Sequence, residues 1–235
     1  VGQKLGTSRV LTGSVRRHGN RLRITAQLID TQTDYLLWSE RYDRELEDIF
    51  DLQAEIAQRI ATALRITLSP EEREALAVRP TENLQAYDLF LRGRNHARRL
   101  SRVDLELAMG MFENAAALDP TFGLAHAAIA STAAQYFYFC DRSQRWMERA
   151  AEATAAASRF APDAPEVLVA QAWLAQAEKK FEQAESRIRE ALRRNPDVES
   201  GYYLLARIVF GAGKYQELMG VSEEAIAHAA GDYNV

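Results

Sequence analysis

Cysteine is nearly absent from this sequence, and it also lacks long apolar runs and any strong excess of one charge. The single cysteine, Cys140, excludes an intramolecular disulfide and a multi-cysteine metal cluster. No run of eighteen apolar residues occurs, and the N-terminus lacks the basic-then-apolar order of a signal peptide. The net charge of −4 argues against a nucleic-acid-binding protein, which usually carries a basic excess. We therefore expect no nucleic-acid partner and no membrane-spanning helix.

The motifs of common catalytic and metal sites are also missing. The four histidines stand far apart, and none has a second ligand at the spacing of a metal site. No glycine-rich phosphate loop occurs. The carboxylates Asp30, Asp34, Glu40 and Asp43 would suit acid–base chemistry, but turn formation explains these polar residues better. We predict no catalytic residue, no metal and no cofactor for this chain.

Both ends of the sequence are expected to be points where a longer chain was cut. It has no initiator methionine and begins in what resembles the tail of a helix, from Val1 to Leu5, which Gly6 stops. It ends within a repeating pattern at Val235. We expect a fragment of a longer polypeptide, in which the first module has lost a strand and a helix and the repeats continue.

Residues 1–68 predict a small module of three strands followed by a helix. The strands are expected over residues 10–17, 21–28 and 36–42, because β-forming residues alternate there between turn signals. In the second strand apolar and polar side chains alternate strictly, which is the period of a half-buried strand. The fold class predicted for the whole chain is α+β, with this module preceding an all-helical region.

The helix of the first module is predicted behind Asp48, a capping residue, because apolar residues from Ile49 to Ile60 recur at helical spacing. Glu55 and Arg59 are four residues apart and are expected to pair on its polar face. One side of this helix is available to cover the sheet. Three strands and one helix give a small core.

Residues 69–85 predict a helical linker. Ser69 and Pro70 form a helix start, with an N-cap and a proline in the first helical position, and Glu72 adds a capping carboxylate. This short helix should end before Pro80, where the next region begins.

Residues 86–235 are alanine-rich and helical, and they repeat. Pro120, Pro162 and Pro196 each mark the predicted end of a helix and lie in similar short sequence motifs. Pro196 follows Pro162 by 34 residues, which is the tetratricopeptide period, whereas Pro162 follows Pro120 by 42 residues and requires an insertion. We predict about four tetratricopeptide (TPR) repeats, the last degenerate, with enlarged connections in the first two.

Small residues recur where paired helices must approach closely. In the first helix of each unit they are Gly93, Ala130, Ala172 and Ala206. In the second helix they are Ala108, Ala150 and Ala184, then Ala115, Ala157, Ala191 and Ala225. Larger side chains, such as those of Phe112, Phe181 and Ile188, are expected to fill the rest of the space. An alanine-rich bundle without true repeats is the alternative.

Such repeats stack into a superhelix whose concave face is lined by the first helix of each unit. The repeat phase places aromatic residues and arginines on this face, which suits a peptide or protein partner with an acidic group. The predicted partner-binding residues are Tyr87, Phe90, Arg94 and Arg98, then Ser131 and Gln135, then Glu166, Trp173 and Gln176, and finally Tyr203, Arg207 and Phe210. The alternative is that individual aromatic residues pack against adjoining helices.

Two further clusters have simpler interpretations than ligand binding. The arginine-rich run from Arg92 to Arg102 could suggest a phosphate site, but a solvated helix face fits the balanced net charge better. The aromatic run from Tyr136 to Phe139, followed by Cys140, is expected to pack the loop between two helices.

Several segments of the sequence resemble a domain arrangement known from bacterial proteins. In the first module they are Val10-Leu11-Thr12-Gly13-Ser14-Val15-Arg16-Arg17, Arg23-Ile24-Thr25-Ala26-Gln27-Leu28-Ile29-Asp30, Leu37-Trp38-Ser39-Glu40-Arg41-Tyr42-Asp43 and Leu46-Glu47-Asp48-Ile49-Phe50-Asp51-Leu52-Gln53. They resemble the α/β module, akin to the TolB amino-terminal domain, that precedes TPR repeats in bacterial signalling proteins. The joining phrase, residues 80–92, looks most like the version found in class III adenylate cyclases.

The resemblance implies a regulatory segment of a cytoplasmic signalling protein, or of a periplasmic one if the parent has an upstream membrane helix. In the cyclases the catalytic domain lies upstream and uses metal-binding aspartates, and no motif here matches it. The alternative parents are winged-helix transcription regulators and protein kinases, and a stand-alone scaffold is a further reading. Recruitment of a partner and self-association are the functions expected of the repeats. An enzyme with its site near Trp38 to Asp43 is the rival from another class.

Overall fold

The computed structural model describes residues 8–45, 49–64, 69 and 78–228. The chain divides into two compact units, residues 1–79 and 80–235. Within the described residues, the first unit consists of a three-stranded sheet and one helix, and the second consists of eight helices. The predicted α+β class is confirmed. The short linker helix predicted after Ser69 falls on residues 70–77, which lie outside the described residues.

The sheet of the first unit is antiparallel, with strand order β1-β2-β3. Its strands are β1 (Arg9–His18), β2 (Arg21–Asp30) and β3 (Leu36–Glu45). All three predicted strands are therefore present. β3 ends three residues later than the predicted Tyr42, because its backbone stays paired with β2 until Glu45 faces Arg21.

One face of the sheet carries the core of the first unit. Leu22, Ala26 and Leu28 are buried on β2, and Ile24 is half-buried, as the alternation predicts. Tyr42 of β3 lies opposite Ile24 and is 3% exposed. Its hydroxyl donates a hydrogen bond to Glu40 at 2.5 Å, so the buried phenol has a polar partner.

The helix of this unit is α1 (Ile49–Ala63), which packs against β3. The predicted pair between Glu55 and Arg59 is wrong. Glu55 instead lies 3.4 Å from Arg44, and Arg59 lies 3.8 Å from Glu40. Both side chains reach β3 because that strand presents a charge of opposite sign to each of them. The predicted cap, Asp48, lies outside the described residues.

Eight helices form the second unit, joined by short loops within residues 80–228. They are α2 (Leu84–Ala97), α3 (Arg102–Leu118), α4 (Gly123–Phe139), α5 (Gln144–Phe160), α6 (Pro165–Ala177), α7 (Phe181–Arg194), α8 (Gly201–Gly211) and α9 (Tyr215–His228). α2, α4, α6 and α8 each pack against the next member of this series, and each also packs against the helix that follows it in sequence.

The two helices of a pair run antiparallel. Asn83, which caps α2, donates its side-chain amide to the carbonyl of Leu118 at the end of α3. Similarly, Arg194 at the end of α7 donates to the carbonyl of Asp163 just before α6 begins. The start of one helix thus lies beside the end of its partner.

The same turn ends α3, α5 and α7. Pro120, Pro162 and Pro196 each stand two residues after the last helical residue, which confirms that they follow helix ends. The residue before each proline lies outside the helical region, with φ of −139°, −143° and −144°, in keeping with the steric restriction that the proline ring places on it. In each case its N–H donates to the carbonyl of an alanine four residues earlier. Those alanines are Ala115, Ala157 and Ala191.

The small residues lie where the helices meet. Eight of the predicted positions have no exposed surface, and Gly93 and Ala225 are also buried, whereas Ala206 is half-buried. The contact is closest at Gly93, because a β-carbon there would stand 2.5 Å from Cε1 of Phe112. Phe112 and Ile188 are buried between the helices as predicted, and Phe181 is half-buried.

The enlarged connections predicted for the first two units are wrong. α4 and α5 have 17 residues each, whereas α6 has 13 and α7 has 14, so the extra residues mainly lengthen the helices. The aromatic residues Tyr136 to Phe139 form the last turn of α4 rather than a loop. The reason is packing, since the buried Tyr136 ring lies 4.4 Å from the ring of Trp146 on α5.

Candidate functional site

A cleft opens in the second unit between α2, α4, α6 and the loop that precedes α8. Its cavity volume is about 110 Å³, which is enough for a side chain or several water molecules. The side of α4 that faces the cleft carries the small residues Ala127, Ala128 and Ser131. The gap exists because no large side chain of α4 fills the space between α2 and α6.

Apolar and polar groups divide the lining of the cleft. The apolar part includes Phe90, Phe112, Leu124, Val169 and Trp173. The polar part consists of charged and amide side chains contributed by all four surrounding elements. They are Arg94, Arg98, Gln135, Glu166 and Glu199, with the hydroxyl residues Ser131, Thr132 and Ser200.

Two arginines of α2 bind one carboxylate of the loop before α8. Arg94 lies 2.5 Å from Oε2 of Glu199 through Nη2, and its Nε donates to the same oxygen at 2.7 Å. Arg98, one turn later on α2, donates from Nε to Oε1 at 2.6 Å. Glu199 is therefore held by both arginines, and its side chain is 25% exposed. The cations predicted to attract an acidic partner already have an acidic partner within the chain.

The backbone around Glu199 is held in an uncommon conformation. Ser200, the next residue, has φ of +60°, in the left-handed region that non-glycine residues seldom adopt. A β-carbon at Gly201 would lie 2.7 Å from Leu192 and 2.8 Å from Val198, so the chain passes very close to the end of α7. This tight passage fixes the position from which Glu199 reaches α2.

Among the described residues, five buried side-chain polar atoms on α4, α6 and α8 have no hydrogen-bond partner. They are Oε1 of Gln135, Oε1 of Gln171, Nε1 of Trp173, Oε1 of Gln176 and Nε of Arg207. Gln135 and Trp173 line the cleft and are 6% and 1% exposed. A buried donor or acceptor without a partner costs about 1–3 kcal/mol. The two unpartnered atoms at the cleft are therefore positions where a bound polar molecule gains energy.

Aromatic rings surround Arg207 beside the cleft. Its guanidinium carbon lies 4.4 Å from the ring centre of Tyr138, 4.7 Å from that of Phe139 and 5.5 Å from that of Tyr203. Nη1 donates to the Tyr203 hydroxyl at 3.3 Å. The rings of Phe139 and Tyr203 also lie 6.3 and 6.4 Å from Trp173. Through Trp173, this arginine and its rings adjoin the cleft.

The structure brings most of the predicted partner-binding residues to this region. Phe90, Arg94, Arg98, Ser131, Gln135, Glu166 and Trp173 line the cleft. Tyr87 stacks on Phe90 at 6.4 Å, and Tyr203 and Arg207 adjoin the cleft through Trp173. Gln176 is buried one turn after Trp173 on α6. Phe210 does not line the cleft, and its ring is 59% exposed and packs edge-on against Tyr215.

Sequence reasoning missed Glu199, Tyr138 and Phe139 as parts of this region. Glu199 follows Arg94 by 105 residues, so no local pattern connects them. Tyr138 and Phe139 were expected to pack the loop between two helices, whereas their place in the last turn of α4 brings them against Arg207 of α8.

All five arginines of the run from Arg92 to Arg102 bind carboxylates. Outside the Glu199 cluster, Arg92 lies 3.8 Å from Asp88 and Arg102 lies 3.2 Å from Glu106. Arg99 lies 3.4 Å from Asp104, whose pKa is lowered by hydrogen bonds from Ser101 and His96. These guanidinium groups are more than half exposed, which agrees with a solvated helix face.

The carboxylates considered for acid–base chemistry take part in turns and ion pairs. Asp30 accepts hydrogen bonds from the backbone N–H groups of Gln32 and Thr33, and the second of these contributes most to the lowered pKa of Asp30. Asp43 lies 2.6 Å from Arg23 and 3.1 Å from Arg41, and the hydrogen bond from Arg23 lowers its pKa most.

Within the described residues, no three side chains of histidine, cysteine, aspartate or glutamate come together as a metal site would require. The helices that the structure describes are each too short or too polar to cross a membrane.

Comparison with known proteins relates the chain to part of a signalling enzyme. No protein-family model matches the sequence. A protein of Rhizobium meliloti (strain 1021) named "Putative adenylate cyclase 3" is 42% identical over 129 residues. Those residues are 55% of this chain and 22% of the Rhizobium protein, so the match spans under a quarter of that protein's length. The expected similarity to an adenylate cyclase is confirmed at this level, and the TPR and TolB-like assignments stay predictions.

Proposed function

We propose that this chain is a regulatory, non-catalytic segment of a bacterial adenylate cyclase, and that its second unit binds a peptide of a partner protein in the cleft between α2, α4 and α6. Similarity to the Rhizobium protein supports the choice of parent over a winged-helix regulator or a kinase. The catalytic domain would then belong to another part of the parent protein. A cytoplasmic location follows from the same proposal.

The helical pairs support TPR repeats in the second unit. Three successive turns share the same proline position, a non-helical residue before the proline and the same hydrogen bond to an alanine carbonyl. In each turn, the second residue after the proline donates its backbone N–H to the carbonyl of that non-helical residue at 3.0–3.1 Å. Such recurrence is the property of a solenoid, in which each unit packs against its neighbours.

Unpartnered polar atoms beside apolar surface are the observation that carries the peptide proposal. Oε1 of Gln135 accepts hydrogen bonds and Nε1 of Trp173 donates them, and both are buried at the cleft without a partner. A peptide backbone offers one N–H donor and one carbonyl acceptor per residue. A peptide in the cleft can therefore satisfy both atoms while an apolar side chain contacts Phe90 and Phe112.

The first unit has a docking or sensing role in this proposal. Its antiparallel sheet and single covering helix are compatible with a TolB-like module. A regulator changes an attached enzyme only if a ligand binds two of its states with different affinity. Binding of a partner to the second unit would bias the arrangement of the catalytic domain through this difference.

The test is selection of peptides from a random phage-displayed library on the 235-residue chain. Ala128→Leu places three more carbons in the cleft and should weaken the selected peptides by about tenfold or more. Ala117→Leu makes the same change on an exposed position of α3 and should leave binding unchanged. The proposal fails if no peptide is selected, or if Ala128→Leu binds the selected peptides as tightly as Ala117→Leu does.

A further inference from the structure

We propose that Arg207, rather than Arg94 or Arg98, binds a carboxylate of the partner peptide. The inference rests on the proposed function, and it names both the chemistry of the partner and the residue that recognises it. Three arginines lie in or beside the cleft, and sequence reasoning treats them alike. Their surroundings differ, and the difference decides which of them is open to an incoming anion.

Arg94 and Arg98 already share a carboxylate partner. Each donates to a different oxygen of Glu199 at 2.6–2.7 Å, so both carboxylate oxygens are engaged. An incoming carboxylate would have to displace one that is attached to the same chain and held in place by the packed loop at Ser200 and Gly201. A tethered group competes at a high effective concentration, which a separate peptide must overcome.

Arg207 has no such counter-ion. Among the residues that the structure describes, no aspartate or glutamate oxygen lies within 4.0 Å of its guanidinium, in contrast to Arg94 and Arg98. Its Nε is buried without a hydrogen-bond partner. A half-buried positive charge with an unsatisfied donor is costly, and a carboxylate relieves both costs.

The rings around Arg207 favour binding of a planar anion. The guanidinium carbon lies 4.4–5.5 Å from the ring centres of Tyr138, Phe139 and Tyr203. These aromatic contacts restrict the orientation of the guanidinium plane. An arginine held in this way loses little conformational freedom when it binds a carboxylate through two parallel hydrogen bonds. Phe139 and Tyr203 also contact Trp173, which places the anion site at one end of the cleft.

The described contacts give Arg207 a structural role as well, because its guanidinium links the end of α4 to α8. That role needs a positive charge against the rings but no external anion. The two roles are separated by asking whether an acidic group in the peptide, and not binding as such, depends on Arg207.

The experiment uses two peptide libraries that are identical except that one contains aspartate and glutamate and the other asparagine and glutamine. The wild-type chain should bind peptides selected from the acidic library about tenfold more tightly than their amide counterparts. Arg207→Gln should remove this preference. Arg94→Gln should retain it, as should Arg159→Gln, which replaces an arginine stacked on Phe160 away from the cleft.

A measurement on the wild-type protein covers the case in which Arg207→Gln fails to fold. The Nε–Hε signals of the arginines, assigned through Arg207→Lys and Arg94→Lys, are followed by NMR during titration with a selected acidic peptide. Movement of the Arg207 signal with a stationary Arg94 signal supports the inference, and the reverse overturns it. Equal binding of acidic and amide peptides overturns only this inference. Failure of both libraries to bind overturns the proposed function itself.

Discussion

Gly93 of α2 and the ring of Phe112 on α3 are in direct contact, and a β-carbon at position 93 would stand 2.5 Å from Cε1 and 2.8 Å from Cδ1 of that ring. Phe112 is 1% exposed and also packs 5.9 Å from Phe90, so it has little room to move aside. α2 and α3 can therefore approach each other this closely only because Gly93 has no side chain. Phe90 and Phe112 in turn form part of the cleft wall.

Gly93→Ala should therefore destabilise the second unit. Overpacking costs about 1–3 kcal/mol, and the better helix propensity of alanine returns at most about 1 kcal/mol. We expect a net loss of about 1–2 kcal/mol in the free energy of unfolding, measured by urea denaturation with circular dichroism. Gly110→Ala is the matched control on α3, because no atom lies within 4 Å of its added β-carbon. It should stabilise by up to about 1 kcal/mol, and a loss at both positions would contradict the packing argument.

The parts of the fold that the sequence predicted correctly depend on local sequence patterns. Alternation in β2 and the prolines after α3, α5 and α7 depend on residues a few positions apart, so they are visible in the sequence. The lengths of α4 and α5 were missed because Tyr136 extends α4 only by packing on Trp146 of the next helix. That contact is a tertiary effect, which overrides local propensity.

The residues that the first helix of each unit contributes to the candidate site could be predicted from the sequence. The ion pair that joins the loop before α8 to α2 could not. Repeat phase alone predicted Phe90, Gln135 and Trp173 on one face, and these residues do line one cleft. The pairing of Glu199 with Arg94 depends on how four helical pairs stack, and no short-range pattern contains that information. For the same reason, sequence could not tell that Arg94 is paired whereas Arg207 has aromatic neighbours.

Thr81→Val should destabilise the start of the second unit in a pH-dependent way. The Thr81 hydroxyl, 5% exposed as a residue, donates to Oδ2 of Asp119 at 2.5 Å, and this hydrogen bond is the main cause of the lowered pKa of Asp119. Because the pKa is lower in the folded state, the contribution to stability is present above the unfolded value of about 3.9 and is lost as the pH falls through the folded value.

Urea denaturation of the wild type and Thr81→Val at about pH 7 and about pH 3 checks this sign. A hydrogen bond to a charged group contributes about 1–2 kcal/mol when it is partly exposed. The difference between the two proteins should be near that value at neutral pH and clearly smaller at acid pH. A difference that stays constant or grows on acidification would show that the carboxylate is not the partner that matters.

The buried phenol of Tyr42 should make the stability of the first unit depend on pH in the opposite direction, with a loss at high pH. Burial, with the hydrogen bond to Glu40, raises the pKa of Tyr42 to about 12. Since the folded value lies above the unfolded value of about 10, the stabilising contribution is complete below about pH 10 and is lost as the pH rises toward 12.

Spectrophotometric titration of tyrosinate in the wild type and in Tyr42→Phe measures this shift directly. The difference between the two curves should have its midpoint near pH 12. The unfolded value of about 10 is the reference for a solvent-accessible phenol. If the difference curve has its midpoint near that value instead, the phenol of Tyr42 is not buried against Glu40 as described.

Glu199→Gln should separate the structural role of the arginine pair from peptide binding. The substitution keeps the size of the side chain and removes the negative charge that Arg94 and Arg98 share. Because both arginines are at least 40% exposed, solvent screens the interaction, and we expect a loss of only about 1 kcal/mol in the free energy of unfolding. Added salt should narrow the gap between Glu199→Gln and the wild type, because it weakens the wild-type ion pairs. Glu148→Gln on the exposed side of α5 is the control and should change neither stability nor its salt dependence.

The same variant has a consequence for the cleft. With Glu199 neutral, Arg94 and Arg98 become available to an external carboxylate, so acidic peptides should bind Glu199→Gln more tightly than they bind the wild type. The extra affinity should disappear in the triple variant that also carries Arg94→Gln and Arg98→Gln, because no cation of α2 then remains at the cleft. Unchanged affinity in Glu199→Gln would mean that the two arginines do not face the bound peptide. In that case the ion pairs on the polar side of the cleft only join α2 to the loop before α8, and Arg207, which has no carboxylate partner among the described residues, is left as the candidate for binding an acidic peptide.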